Sequence, residues 1–370
     1  MKPRLLIVGR MRYTLPLDVG QSRRFAALSE QFDWRVLASA SPRSMHDDPR
    51  FVLVPPQRPR ILDGLLFHLL LPFRIARELR RFRPDVMTVQ GAHETAEALL
   101  GRALARSRAR VVLDVQGDWR TATTMYGSRA RKLLTPVADR IASLAVRRVD
   151  AVRTISPWTT ELVAAHGVAP TAEFPAFVDY APFRERDVVP LPERPQLVYV
   201  GAFEPVKNID ALARAWRLAA PRVPEAGLLF VGDGSQADLV RALVAEFPGR
   251  VEWRGPQPAD EVLRAIDEST VLVLPSKSEG FGRVVVEAFS RARGAVVSRA
   301  VKLVDDGETG LSVEVDDAPA LADALVRVLS DRALAERLGR AALTACDRWV
   351  VSPDEFALRM RRLVDDVLAG

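Results

Sequence analysis

Short apolar runs alternate along this chain with segments in which apolar residues recur at helical spacing. In the first half, such runs predict strands at 4–9, 34–39, 85–90, 110–116 and 150–155. Runs with few polar positions are typical of strands that are buried on both faces of a parallel sheet. Because the strands alternate with helices, the pattern predicts the α/β class with parallel sheets.

The same alternation resumes after a stretch that is rich in proline and charge. Predicted strands of the second half lie at 196–201, 227–232, 251–255, 270–275 and 294–298. The stretch between the two halves, 181–195, carries four prolines and predicts a linker. We therefore expect two domains, at 1–185 and 193–350. The last segment, 352–370, has a helical period of its own.

The composition is that of an ordinary globular enzyme, and it argues against a disulfide-rich, secreted or membrane-spanning protein. The single cysteine, Cys346, excludes an internal disulfide framework and a cysteine-rich zinc site. The first residues predict a strand and not a signal peptide, because the apolar run is short and no cleavage site follows it. The most apolar stretch, 61–73, is interrupted by polar residues and proline, so we expect no membrane span. These features fit a cytoplasmic location.

The charge balance points to anionic partners. The formal net charge is +6, and arginine supplies most of it because the chain has only five lysines. A basic balance suits sugar nucleotides, membrane surfaces or nucleic acid. No segment resembles a nucleic-acid-binding module, so we expect no nucleic-acid partner.

The most informative segment joins a strand, a glycine turn and a helix. Strand 270–276 runs into a loop that contains Glu279, Gly280 and Gly282, and the helix that follows carries Glu287. Free backbone N–H groups and the helix dipole converge at such a helix start and form an anion site. From Gly282 to Glu287 the helix rises about 7.5 Å, which matches the span from a phosphate to a ribose. The loop is therefore predicted to hold a diphosphate, and Glu287 to accept hydrogen bonds from the ribose.

This segment resembles the Glu-x7-Glu element of the retaining glycosyltransferases of family 4, the glycosyl transferases group 1. The resemblance is specific from Gly201 to about Arg348 and weak before that. It implies the GT-B fold, with two Rossmann-like domains that face a cleft and a terminal helix, 352–370, that packs back on the first domain. It also implies that a sugar moves, with retention of configuration, from a UDP- or GDP-sugar to an acceptor hydroxyl.

The resemblance also implies which residues bind the donor. Lys207, in the segment 200–212, matches the family lysine that contacts the donor phosphates, and Glu279 matches the acid that touches the transferred sugar; we assign both as catalytic. Gly20 corresponds to a loop glycine near the diphosphate, and Phe281 supplies a backbone N–H. The predicted donor site comprises Gly20, Gly201, Lys207, Gly280, Phe281, Gly282 and Glu287.

The first domain is implied to bind the acceptor, which is a sugar, a lipid-linked compound or a small molecule. Candidates near the acceptor or the sugar follow two predicted strands and are His93, Gln116, Asp118 and Arg120. Each of them also fits a solvated or packed position, and the sequence leaves that choice open.

Three positions depart from the family pattern. Ala202 replaces an arginine that normally adds a second phosphate cation, with Arg254 as one candidate substitute. Gln116 replaces a histidine near the sugar, and the segment 298–304 is about three residues short by our alignment and lacks the usual glycines. These departures favour a non-catalytic, donor-binding relative as an alternative. A sugar-nucleotide epimerase, an isomerase of the same fold that works without an acceptor, is another alternative, but we identify no acid/base carboxylate or histidine for it.

Two further expectations concern metals and membranes. The acidic pairs along the chain fit turns, caps and helix faces, so we predict no required metal and no cofactor besides the nucleotide-sugar substrate.

The segment 74–84 predicts a basic helix next to the apolar run 61–73. That helix is either a solvated flank or a peripheral contact with the anionic inner face of a membrane.

Overall fold

The computed structural model describes residues 2–44, 48–56, 60–120 and 129–370, with side chains except at 60–63, 65 and 129–135. The chain forms two compact units. One comprises Met1–Val178 and Val351–Gly370, and the other is Asp179–Val350. Each unit is built on its own parallel sheet flanked by helices. The predicted α/β class with two Rossmann-like domains is therefore confirmed.

The first unit contains a seven-stranded parallel sheet with the order β3-β2-β1-β4-β5-β6-β7. Its strands are β1 (Arg4–Tyr13), β2 (Asp33–Ala40), β3 (Phe51–Val54), β4 (Val86–Gln90), β5 (Arg110–Val115), β6 (Ala151–Thr154) and β7 (Ala172–Glu173). The order reverses between β1 and β4, which are paired in register from Leu5↔Val86 to Gly9↔Gln90. In open α/β sheets, ligands bind outside the carboxyl ends of the strands at such a reversal.

The second unit repeats this plan with six parallel strands in the order β10-β9-β8-β11-β12-β13. They are β8 (Gln196–Val200), β9 (Gly227–Val231), β10 (Val251–Trp253), β11 (Val271–Leu274), β12 (Ala295–Ser298) and β13 (Gly310–Val313). Here the order reverses between β8 and β11. The loops that leave the carboxyl ends of these two strands therefore meet at one edge of the sheet.

Helices cover the faces of both sheets. In the described residues they are α1 (Val19–Gln31), α2 (Arg60–Phe82), α3 (Ala92–Ala105), α4 (Arg129–Val146), α5 (Pro157–Ala164), α6 (Ala181–Arg184), α7 (Ile209–Ala219), α8 (Ala237–Glu246), α9 (Ala259–Asp267), α10 (Arg283–Ser290), α11 (Ala318–Ser330), α12 (Arg332–Ala345) and α13 (Pro353–Ala369). None of these helices combines the length and the apolar character needed to cross a bilayer.

The terminal helix α13 belongs to the core of the first unit. Ser352 caps it by accepting a hydrogen bond from the N–H of Glu355 (3.1 Å). Its apolar face joins the cluster that contains Phe25 and Leu28 of α1, and Phe356 is buried in that cluster. The end of the chain is therefore fixed to the first unit by packing.

The segment 181–195 is not a free linker, contrary to our expectation, and the boundary of the first unit falls at Val178 instead of 185. The buried guanidinium groups of Arg291 and Arg293 bind its backbone carbonyls and also contact Asp267. The carbonyls bound are those of Phe183, Arg186, Asp187, Val189 and Pro190. Two buried cations need many acceptors, and the proline-rich segment supplies them.

The apolar run 61–73 and the basic stretch 74–84 form one continuous helix, α2, with Pro72 inside it. A neighbouring glycine explains how α2 lies so close to α3. A Cβ atom on Gly101 of α3 would lie 2.8 Å from the carbonyl oxygen of Pro72 and 2.8 Å from Cγ2 of Ile75. Only glycine permits that approach, so the two helices pack with their backbones nearly in contact.

Candidate functional site

The loops after β8 and β11 are hydrogen-bonded to each other. The N–H of Lys277 donates to the carbonyl of Val206 (2.8 Å), and Nδ2 of Asn208 donates to the carbonyl of Pro275 (3.1 Å). Asn208 is buried and has a left-handed backbone (φ 62°), which asparagine tolerates well. These bonds fix the two loops relative to each other at the strand reversal of the second sheet.

Lys207 and Glu279, which the sequence predicts as separate contacts, form an ion pair. Nζ of Lys207 lies 2.5 Å from Oε2 of Glu279, and the hydroxyl of Ser276 donates to the same oxygen (3.3 Å). The lysine side chain is 23% exposed and the glutamate side chain 13% exposed. Both groups therefore reach the surface of the loop, where the ammonium can be shared with an incoming phosphate.

The glycine turn ends at the start of α10. Gly282 has φ 73° and caps the helix, and a Cβ atom there would lie 3.4 Å from Cγ of Glu279. The N–H groups of Arg283 and Val284 have no acceptor within the helix, because they belong to its first turn. Phe281 is buried, with its ring against that of Trp349 (6.3 Å between centroids, 77°). The backbone N–H groups at this helix start are therefore available to a ligand, while the side chain of Phe281 is packed in the interior.

Glu287 lies one turn inside α10. Burial raises the pKa of its carboxyl group, and the charge of Arg283 on the same helix opposes that rise. A residue that the sequence did not indicate, Tyr180, is buried nearby. Burial raises the pKa of its hydroxyl, and the charge of Glu287 raises it further. Tyr180 precedes Glu287 by more than 100 positions, so no local pattern could have revealed the pair.

Gly201 lies where two loops touch, after β8 and after β9. A Cβ atom on Gly232 would overlap the carbonyl oxygen of Gly201, and one on Gly234 would lie 2.6 Å from the backbone nitrogen of Phe203. The N–H of Phe203 also donates to the carbonyl of Asp233 (2.9 Å). Close backbone packing therefore accounts for these glycines, and a donor contact at Gly201 stays a prediction.

The cations near the site differ from those we considered. Arg254, the candidate substitute at Ala202, is held by Glu252 (2.7 Å) and Glu268 (2.7 Å). Lys277, which the sequence analysis did not single out, lies in the loop itself and pairs with Asp316 (2.9 Å). Lys277 is thus a further cation within the site, and a role for Arg254 in place of the missing arginine stays a prediction.

The shortened segment 298–304 packs against the glycine turn. Val301 and Leu303 are buried, and Cγ1 of Val301 would lie 3.5 Å from a Cβ atom on Gly282. The hydroxyl of Ser298 donates to the carbonyl of Ser276 at the end of β11. The segment lacks the glycines that are usual in the family, and its apolar side chains pack against the glycine turn instead.

In the first unit, the position of Gly20 differs from the prediction. It lies in the first turn of α1 and not in a loop, because Asp18 caps that helix by accepting from the N–H of Gln21 (2.7 Å). A cap two residues earlier starts the helix before the glycine. The expected loop position of this glycine is therefore wrong, while its contact with the donor diphosphate stays a prediction.

The acceptor candidates lie after β4 and β5. His93 is in the first turn of α3, with Nε2 3.7 Å from Oδ1 of Asp139. Nε2 of Gln116 donates to Asp114 (3.0 Å). Asp118 accepts from the N–H of Arg120 (2.9 Å) and pairs with its guanidinium (3.5 Å). Their roles stay predictions.

Family models match both halves of the chain. The model described as "Glycosyl transferase 4-like domain" covers residues 21–175, and the model "Glycosyl transferases group 1" covers 194–331. The chain belongs to the group 1 glycosyltransferases of GT-B fold. The predicted family is confirmed, and the predicted transferase class is confirmed at the level of the family.

Curated relatives of this glycosyltransferase match it to different extents. The N-acetyl-alpha-D-glucosaminyl L-malate synthase of Bacillus anthracis is 26% identical over 293 residues, which are 75% of this chain and 73% of the relative. The sulfoquinovosyl transferase of Arabidopsis thaliana is 29% identical over 164 residues, 43% of this chain but only 31% of the relative. The chain therefore spans less than two thirds of some of its relatives.

Solved structures show the same fold over the whole chain. The sucrose-phosphate synthase of Thermosynechococcus elongatus has a TM-score of 0.77 at 19% identity and covers 99% of both chains. The HepE protein of Anabaena in complex with UDP-glucose has a TM-score of 0.66 at 14% identity, again over 99% of both chains. Identities this low show the fold and no more.

A metal site was neither expected nor found in the described part of this glycosyltransferase. No three or more His, Cys, Asp or Glu side chains are grouped there in a way that could hold a metal ion. That no metal is required stays a prediction.

Proposed function

We propose that this glycosyltransferase moves a sugar from a UDP- or GDP-sugar to an acceptor hydroxyl, with retention of configuration, and binds the donor in its second unit. One observation carries the proposal. Lys207, Glu279 and the glycine turn are brought together at the strand reversal of the second sheet, with Glu287 one turn into the helix. The complex of the similar Anabaena protein with UDP-glucose supports a nucleotide-sugar donor.

Each group has one proposed task. The N–H groups at the start of α10 and the ammonium of Lys207 bind the diphosphate and offset the negative charge that grows on it as it leaves. Glu287 accepts hydrogen bonds from the ribose hydroxyls. Glu279 contacts the sugar and, through its ion pair, holds the ammonium in place.

The transfer step needs no nucleophile from the protein. The bond between the anomeric carbon and the diphosphate oxygen breaks, and the acceptor oxygen bonds to that carbon from the same face. The acceptor proton passes to the leaving diphosphate. Catalysis then depends on positioning and on stabilisation of charge.

A non-catalytic, donor-binding relative is the second candidate. Two observations favour it: the ammonium of Lys207 is already neutralised by Glu279, and Val301 packs against the glycine turn. Such a protein would bind the donor without turnover.

Incubation with a panel of UDP- and GDP-sugars separates these functions. We expect slow release of the nucleoside diphosphate without an acceptor and faster release with an acceptor mixture, and NMR of the product should show the anomeric configuration of the donor. Binding without release would identify the non-catalytic relative. An epimerised donor, or a product of opposite configuration, would contradict the proposal.

We also propose a cytoplasmic location with peripheral contact to an anionic membrane, through α2 and its neighbours α3 and α4. The outer positions of these helices expose large apolar side chains, for example Phe73 (61% exposed) and Val137 (61% exposed). The set comprises Leu69, Leu70, Phe73, Leu100, Leu104, Val137, Ile141 and Leu144. In the described residues of these helices, every exposed charged side chain is an arginine, as at Arg77 and Arg81. Apolar groups with a cationic rim suit an anionic lipid surface.

Substitution of Phe73 by serine is expected to weaken binding to vesicles that contain anionic lipid. The loss should be at least about tenfold, since a buried aromatic side chain contributes about 1.5–3 kcal/mol. Arg77→Gln should cost about fivefold, at about 1 kcal/mol for each cation near the surface. Cosedimentation with vesicles of phosphatidylcholine alone or with phosphatidylglycerol measures both effects. The control is Leu218→Ser, which changes a half-exposed leucine of the second unit. Equal sedimentation of Phe73→Ser and Leu218→Ser would contradict the proposal.

A further inference from the structure

A second group of ionisable side chains lies at the strand reversal of the first sheet. Arg10 is on β1, beyond the last residue pair that β1 shares with β4, and α3 begins directly after β4. The first turns of α3 carry His93, Glu94 and Glu97, and α2 contributes His68. The position corresponds to that of the donor loops in the second sheet, where the carboxyl ends of strands open a site for ligands.

His68 and Glu97 are joined across the two helices. Nδ1 of His68 lies 2.8 Å from Oε1 of Glu97. The Glu94 carboxylate folds back over the helix start, so closely that a Cβ atom on Gly91 would overlap it. The close approach of α2 and α3 at Gly101 holds this arrangement together. It is a built cluster, with each side chain fixed by its helix.

The ionisable groups of the cluster shift one another's pKa values. Burial raises the pKa of both Glu94 and Glu97. Burial alone would lower the pKa of His68, but the hydrogen bond and charge of Glu97 raise it overall. Arg10 lowers the pKa of both His68 and Glu97. Among the described residues, Asp139 of α4 also faces the cluster, next to His93.

Two buried polar atoms of the cluster have no hydrogen-bond partner among the described residues. They are Oε2 of Glu97 and Nε2 of His93. The 3.7 Å between His93 and Asp139 is too long for a hydrogen bond. Buried polar atoms are nearly always paired in native proteins, so a pair of exceptions at a ligand-binding edge points to a ligand that supplies the partners.

We propose that Glu97, His68 and His93, with Glu94, form a subsite that binds the hydroxyl groups of a neutral, polyhydroxylated acceptor. The proposal rests on the transferase function proposed above. Oε2 of Glu97 accepts a hydrogen bond from one hydroxyl, and Nε2 of His93 pairs with a second. The neighbouring carboxylates of Glu94 and Asp139 repel a phosphate or carboxylate at this place, so the subsite selects against anionic acceptors.

Imidazole NMR of the full-length protein tests this subsite directly, because the chain has only four histidines. The probes are methyl α-D-glucoside, methyl α-D-galactoside and methyl α-D-mannoside, and the 6-phosphate of the first. His68→Asn assigns the His68 signal, and His166 is the internal reference, since its Nδ1 is bound to the carbonyl of Leu162 in another part of the unit. We expect at least one neutral glycoside to shift the His68 and His93 signals, and the phosphate to bind at least about fivefold more weakly.

Glu97→Gln keeps the shape of the side chain and its bond to His68 but removes the charge. Because hydrogen bonds to charged groups are stronger than neutral ones, we expect about fivefold weaker binding of the glycoside. The matched control is Glu161→Gln, an exposed glutamate of the same unit. Affinity for UDP should be unchanged in both variants, and thermal melting confirms that they fold.

The possible results separate this subsite from the proposed function. Three results would each contradict the subsite while UDP binding leaves the transferase proposal intact. They are that no neutral glycoside shifts the His68 or His93 signals, that the 6-phosphate binds as tightly as the neutral glycoside, or that Glu97→Gln leaves glycoside affinity unchanged. If no nucleoside diphosphate binds at all, the proposed function fails, and the glycoside titration still decides whether the cluster binds hydroxyl groups.

Discussion

Replacement of Glu287 by alanine is expected to weaken the binding of UDP or GDP by about ten- to a hundredfold. Hydrogen bonds to a charged group contribute about 1.5–3 kcal/mol, and we propose that the carboxylate of Glu287 accepts them from the ribose hydroxyls. Burial raises the pKa of this carboxyl group, because the charged form loses part of its hydration. A ligand that donates hydrogen bonds to the carboxylate replaces that lost hydration. Calorimetric titration of wild type and variant with both nucleotides measures the loss.

The controls for Glu287 make the ribose contact specific. Glu261→Ala removes a half-exposed glutamate of α9 that pairs with Arg264, and it should leave affinity unchanged. The wild type should prefer UDP over its 2′- or 3′-deoxy analogue, and Glu287→Ala should lose the preference that depends on the carboxylate. If the variant keeps the same preference for both analogues, Glu287 does not hold the ribose.

Acidity provides an independent check on Glu287. Since its pKa lies above the ordinary value for glutamate, protonation of the carboxylate should begin to weaken donor binding at a higher pH than an exposed glutamate would allow. Titrations with an intact nucleotide sugar avoid changes in the charge of a terminal phosphate. The donor affinity of Glu287→Gln should lack this pH dependence. If the variant and the wild type have the same pH dependence, the Glu287 carboxylate does not bind the donor.

The fold could be predicted from the sequence wherever strands are long and apolar. The predicted run 85–90 corresponds to β4 (Val86–Gln90), because a buried central strand has few polar positions. The edge strands β3, β7 and β13 were missed. β7 has only two residues, and β3 and β13 each have two half-buried positions, unlike the fully buried strands β11 and β12. The segment 181–195 was misjudged because its partners, the two buried arginines, lie about 100 residues later.

The candidate site was predictable as far as it is local. Glu279, Gly282 and Glu287 lie in one contiguous motif, and the geometry of a helix start gives them their meaning. The ion pair between Glu279 and Lys207 joins loops 72 residues apart, and only the resemblance, not the pattern, brought Lys207 into the site. The support from Val301 and the proximity of Tyr180 depend on tertiary packing that no spacing reveals.

The first unit shows the same limit more clearly. A lone histidine such as His68 on a helix with apolar neighbours fits an ordinary core position, and the sequence analysis gave it no role. Its significance comes from Glu97, 29 residues later on the adjacent helix, and from the strand order that brings both to the carboxyl edge. Charged pairs across helices are a property of packing, so they become visible only when the fold is known.

Lys207→Met is expected to reduce turnover of the donor by about a hundred- to a thousandfold, the usual effect of removing a group that stabilises developing charge. The ion pair adds a second consequence. Without the ammonium, the carboxylate of Glu279 loses its ion pair and, among the described residues, keeps the hydrogen bond from the hydroxyl of Ser276, beside the proposed diphosphate site. Donor affinity should therefore fall as well, through repulsion between the carboxylate and the phosphates.

A double variant separates these two effects of Lys207. In Lys207→Met with Glu279→Gln, the repulsion is removed, so affinity for UDP should recover to within about threefold of wild type, a difference of less than about 1 kcal/mol. Turnover should stay low, because the cation that we propose to stabilise the leaving diphosphate is missing. The matched control is Lys302→Met, an exposed lysine of the same unit that is outside the loop contact. Recovery of turnover together with affinity would show that Lys207 serves only to neutralise Glu279. Lys277 would then be the catalytic cation. An incoming phosphate would have to displace Asp316, the ion-pair partner of Lys277.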